Sequence, residues 1–107
     1  MEMAQYIYSI LRTRLNVLMS WGFSNPRSLS NNKGIIFRVD GFIHSGYVKI
    51  VYNKGNDLFD ISLLNYQKEI VKIIDGIYFD SLVEVIDSEV EKCENYEDRI
   101  RQEYSLL

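Results

Sequence analysis

His44 is the only histidine in the chain, and Ser45 follows it directly. A histidine beside a hydroxyl could serve acyl transfer as a general base, but only with a positioned nucleophile and an orienting acid. Asp40 lies four residues back, two side-chain steps along a strand, and no nucleophile elbow surrounds Ser45. His44 therefore reads as an ordinary hairpin-tip residue. Cys93 falls in an apolar helical stripe, where a thiol acts as a small buried hydrophobe rather than a nucleophile. No Walker A, GxGxxG, HExxH or paired-cysteine motif occurs. Glu84, Asp87, Glu91, Glu94 and Asp98 form an acidic ridge, but no D-x-D-x-D-G loop accompanies them and a straight helix coordinates cations poorly. The expectation is no enzyme, no cofactor and no metal.

Two other groupings suggest contacts rather than catalysis. Arg14 lies in the middle of an apolar helical arc, while Glu89 and Glu97 intrude on the apolar side of a second helix. An isolated buried charge would cost several kcal/mol, so Arg14 is expected to pair with Glu89 or Glu97 between the helices. The outer face of the predicted sheet carries Arg38, Phe42, His44, Tyr47, Lys49, Val51, Leu58, Ile70 and Ile74, with Asp40 and Asp60 among them. Such a face is too apolar for full solvation, which points to a covering segment, a second copy or a protein partner. Its aromatics beside bases also suggest a single-strand stacking platform, although the RNP-type pattern is absent and the aspartates would repel phosphate.

The elements that must position these residues follow from periodicity. Over 3–21 the polar residues Gln5, Ser9, Arg12, Thr13, Asn16 and Ser20 fall in one arc of about 100°, predicting a helix with a wide apolar face. Gly22 and the stretch after it read as a loop. Residues 35–75 switch to a period of two, predicting strands over 35–43, 47–52, 57–64 and 68–75. Turns at Ser45-Gly46, Lys54-Gly55 and 65–67 would pair Val39 with Tyr52, Ile50 with Phe59 and Ile61 with Val71. All three registers put Phe37, Val39, Ile43, Val48, Ile50, Tyr52, Phe59, Ile61, Leu63, Val71 and Ile73 inward. They would also align Lys49, Asp60 and Lys72 across the outer face. Asp80 is expected to cap a last helix over 81–104, about 36 Å long and so longer than the strands it packs on. The predicted architecture is one α+β domain, 1–107. It is a two-layer sandwich in αββββα order, with a four-stranded antiparallel meander and both helices on one sheet face.

Composition agrees with a self-sufficient core. The 107 residues are 47% hydrophobic, with one proline, six glycines and one cysteine. This excludes disorder, low complexity and a disulfide scaffold, and the lone cysteine suits a reducing cytoplasm. The N-terminus has no basic leader, and Arg12 and Arg14 interrupt its apolar run, so neither a signal peptide nor a membrane span is expected. The net charge of −3 hides a division: residues 80–98 carry −7 and residues 1–79 carry +3. The reading these features favour is a non-enzymatic cytosolic interaction protein. It would self-associate, or bind a protein, through the outer sheet face or the acidic helix. The alternative is a nucleic-acid accessory protein using Arg38, Lys49, Lys72, Arg27 and Lys33.

Overall fold

In the computed structural model of the chain, residues 2–91 are described. Their order is α1 (Met3–Arg12), α2 (Leu15–Ser20), β1 (Ser24–Ser28), β2 (Gly34–Asp40), β3 (Ser45–Asn53), β4 (Leu58–Leu64), β5 (Ile70–Ile77) and α3 (Leu82–Val90). Short 3₁₀ turns cover Ser30–Asn32 and Phe79–Ser81. The five strands form one antiparallel sheet in sequence order. The α+β class is as expected. The sheet has five strands rather than four, and the first predicted helix is two.

Ile7, Leu11, Leu18 and Trp21 from the N-terminal helices meet Leu82, Val83, Ile86 and Val90 of α3 over the inner sheet face. That face supplies Ile35, Phe37, Val39, Val48, Ile50, Phe59, Ile61 and Leu63, all buried. Strict alternation over β2–β4 is the cause, because every second side chain points into the core.

The helix predicted over 3–21 breaks at Thr13-Arg14. The Thr13 hydroxyl donates to the Ile10 carbonyl at 2.7 Å, and Arg14 N–H reaches Leu11 in a three-residue step. Arg14 adopts ψ 60 and its side chain is 52% exposed, so the break turns this charge out of the apolar arc.

The turns also differ. Val39 pairs with Gly46 rather than Tyr52, a displacement of six residues, and Ile50 pairs with Ile61 rather than Phe59, a displacement of two. Both are even, so the faces are preserved. The β2–β3 connection is 41–44, not Ser45-Gly46. It is held by the end of α3: the N–H groups of Ile43 and His44 donate to the Val90 carbonyl at 2.8 and 3.2 Å. A Cβ on Gly41 would lie 2.3 Å from that same oxygen, so only glycine permits the approach. This tertiary clamp outweighs the local Ser-Gly turn signal. Ile43, predicted inward, is exposed in the loop.

At β5 the displacement is odd. Ile61 pairs with Ile74 instead of Val71, and bulges interrupt the pairing on either side of the regular stretch Lys72–Ile74. Asn65 sets this register. Its side-chain oxygen accepts from the N–H groups of Gln67 and Glu69 at 3.0 and 2.9 Å, producing a longer connection than three residues. The faces of β5 therefore invert: Ile74 packs on the core, while Val71 and Ile73 are exposed. The expected Lys49–Asp60–Lys72 row does not form, since Lys49 opposes Ser62 and Lys72 opposes Leu63.

Asp80 lies in the 3₁₀ turn, and the N-cap of α3 is Ser81, without a side-chain capping bond. The predicted helix beyond residue 91 lies outside the described residues, together with Cys93, Glu94, Glu97 and Asp98.

Candidate functional site

β5 reads IVKIIDGI and is an edge strand of eight residues. Ile70, Val71 and Ile73 are 52%, 58% and 56% exposed. An edge strand presents one row of unpartnered backbone N–H and C=O groups, and its apolar side chains invite another strand. The charges that would discourage this are the exposed Asp75 and, within the Ile70–Ile74 run, Lys72. Its ammonium is drawn to the helical side of the sheet, where it meets the Glu89 carboxylate at 2.8 Å. The ion pair partly cancels the one charge in the Ile70–Ile74 run.

The outer sheet face adjoins this edge. Arg38, Tyr47, Leu64 and Ile70 form one cross-strand row, and Ile36, Lys49, Ser62 and Ile73 form the next. The β4–β5 connection folds back over the first row. Tyr66 meets Tyr47 edge-on with ring centroids 6.5 Å apart. The Arg38 guanidinium sits 4.8 Å above Tyr66, and the Lys68 ammonium 5.2 Å above Tyr47. The order is thus cation, ring, ring, cation across β2, β3 and the β4–β5 connection, with each ring held by one cation.

Of the residues predicted for this surface, Arg38, Tyr47, Lys49 and Ile70 come together. Val51 and Leu58 are half-buried at the other end of the sheet, opposite Asp60 and Asn53. Phe42 and His44 lie in the β2–β3 loop. The Phe42 N–H donates to Glu91 at 2.9 Å, and the His44 ring lies 3.3 Å from the Tyr47 carbonyl. Ile74 is on the opposite, inner face. Tyr66, Lys68, Val71 and Ile73 were not anticipated. The available signal was the Ile70–Ile74 run, apolar at both parities, which only an edge or a doubly covered strand can carry.

The expected Arg14–Glu89 pair is absent. Arg14 approaches Glu84 at 4.0 Å with both side chains largely exposed, and Glu89 is taken by Lys72. Glu97 lies outside the described residues. Asp87 of the acidic ridge accepts from the Trp21 indole N–H at 2.9 Å, a structural use. Glu91 is buried at the α3 C-terminus. Burial pushes its carboxyl above the ordinary 4.5, the Phe42 N–H opposes this, and Asp87 and Asp40 reinforce it. The Tyr52 hydroxyl donates to Asp57, which raises the phenol above its ordinary value.

Among the described residues no cluster of three or more His, Cys, Asp or Glu could hold a metal ion. No helix among them is long and apolar enough to cross a membrane. No protein-family model, curated protein or solved structure matches the chain.

Proposed function

We propose that this chain is a small non-enzymatic cytosolic interaction domain that self-associates by pairing β5 of one copy with β5 of a second. The observation that carries the reading is the exposed apolar edge of β5, with Lys72 diverted to Glu89. Antiparallel pairing of two such edges joins two sheets into one and gives the unpartnered backbone groups partners. A two-fold axis perpendicular to the sheet opposes a residue to its own counterpart. Centring it on Ile73 sets isoleucine against isoleucine on the outer face, whereas centring it on Lys72 opposes two lysines.

Directly opposed residues have Cα atoms about 4.5–5.5 Å apart, within disulfide range. In a Cys93→Ser background, Ile73→Cys is therefore expected to give a covalent dimer on mild oxidation, and Tyr78→Cys is not. The unsubstituted chain is expected to run as a dimer in light scattering at about 50 μM, a concentration suited to a modest interface. A monomer there, with no Ile73→Cys cross-link, rejects the reading.

A second reading has its own support in the Arg38–Tyr66–Tyr47–Lys68 array, which offers rings and cations to a single-stranded nucleic acid. It ranks lower because both cations already lie on tyrosine rings and Asp40 and Asp60 share the face. Anisotropy with a labelled oligonucleotide tests it: binding that weakens steeply with salt supports it, and no binding at low salt rejects it.

A further inference from the structure

A cleft of about 660 Å³ opens at the far end of β3 from the β2–β3 loop, bounded by Met3, the Asn32-Lys33 turn, Val51–Gly55 and Asp60. Its volume is in the range of small-molecule sites. We infer that it binds a phosphorylated, hydroxyl-bearing small molecule of nucleoside-monophosphate size. This is independent of the β5 edge.

The argument rests on which atoms the fold has already committed. The Asn32 side-chain oxygen accepts from the Met3 N–H at 2.8 Å, and the Asn53 oxygen accepts from the Gly55 N–H at 2.9 Å. Each amide oxygen is thus engaged once, and neither NH₂ group donates to a partner among the described residues. Lys33 and Lys54 add two ammonium groups, and neither has an ion-pair partner among the described residues. The two lysines are held near one another, because the Lys33 carbonyl accepts from the Tyr52 N–H at 2.9 Å, two residues before Lys54. The Asn32-Lys33 and Asn53-Lys54 segments thus bring amide and ammonium donors to the lining, the set that recognises a phosphate. Met3 and Val51 supply apolar wall. The lining also includes the Asp60 carboxylate, directly across the ladder from Val51, one of whose oxygens accepts from the Gly76 N–H at 3.1 Å. A carboxylate repels a bare anion but accepts from hydroxyl groups. The lining therefore suits a ligand that carries both a phosphate and hydroxyl groups, better than inorganic phosphate.

The test is a titration of the full chain followed by amide resonances, with AMP, adenosine and inorganic phosphate as probes. AMP is expected to shift Lys33 and Tyr52–Gly55 and to bind at least about tenfold tighter than either fragment, since charge-assisted hydrogen bonds and hydroxyl contacts act together. The double variant Lys33→Glu/Lys54→Glu is expected to lose AMP binding by at least about tenfold while its remaining spectrum is unchanged, because both sites are at the surface. If it unfolds, Lys33→Gln and Lys54→Gln singly serve instead, each weakening AMP. Adenosine binding as tightly as AMP, AMP binding unaffected by the lysine changes, or no shift with millimolar AMP overturns the inference.

Discussion

The two edges of the sheet solve the same problem in opposite ways. β1 has five residues, SNPRS, with Pro26 inside it, Asn25 at φ 52 and a register shift between Ser24 and Arg27. A short strand, a missing N–H, a bulge and polar side chains are the usual means of blunting an edge. β5 has eight residues, no proline and three exposed aliphatic side chains. Its bulges flank the regular stretch Lys72–Ile74 instead of interrupting it. Among the described residues, one edge is blunted against strand addition and the other is not. This contrast is what supports the proposed pairing through β5.

The largest expected effect comes from converting the open edge into a closed one. Ile73→Lys places like charges opposite one another in the proposed dimer, so sedimentation equilibrium should show dimerisation weakened by about a hundredfold or more. Monomer stability should change by less than about 0.5 kcal/mol, because the side chain is exposed. A stable variant that still dimerises normally would break the comparison. Next, Glu89→Gln releases the Lys72 ammonium toward the edge. Dimerisation should weaken by about two- to threefold, and urea unfolding should change by under about 1 kcal/mol, as for a partly exposed pair.

A third change should leave both edges untouched. The folded-state value of Glu91 lies above its ordinary 4.5. Its stabilising contribution is therefore complete below that ordinary value and is lost as pH rises through the raised folded value. Glu91→Gln keeps an acceptor for the Phe42 N–H without the charge. Its stability relative to the unsubstituted chain should rise between acidic and neutral pH, with dimerisation constant, and urea titrations at several pH values check this. The smallest effect is expected from Pro26→Val. It restores one N–H to β1 but leaves the bulge and Asn25, so association should change by less than about twofold in light scattering. New larger oligomers would show that the proline alone closes that edge.

Much of this fold was legible, for a reason the registers make plain. The inner residues of β2–β4 were identified from alternation even though two hairpin registers were displaced, because six and two are both even. The same procedure failed at β5, where Val71, Ile73 and Ile74 supply apolar groups at both parities and no pattern selects a face. β1 was hidden because Ser24–Ser28 has no alternation, as befits a blunted edge. The helix break at Thr13-Arg14 was hidden by propensity, which is continuous there, and it changed the fate of Arg14 from a buried pair to a surface contact with Glu84. On the candidate surface, Arg38, Tyr47 and Lys49 followed from strand parity, whereas Ile70 lies there because the bulge between it and Lys72 returns it to the outer face. Tyr66 and Lys68 did not, because their placement depends on how Asn65 shapes a turn.

The β2–β3 connection lacks a self-sufficient turn. Gly41 N–H finds the His44 carbonyl inside the loop at 3.0 Å, but the other acceptors are the Val90 carbonyl and the Glu91 carboxylate, the latter 49 residues along the chain from Phe42. Strands β3, β4 and β5 have connections closed by their own asparagines, Asn53 and Asn65. During synthesis the later hairpins can therefore close their turns as soon as they emerge, whereas the Val90 carbonyl that accepts from Ile43 and His44 arrives only when α3 has left the ribosome. Vectorial order and assembly order run against each other in this chain, and the end of α3 is the last fastening of a hairpin made long before it.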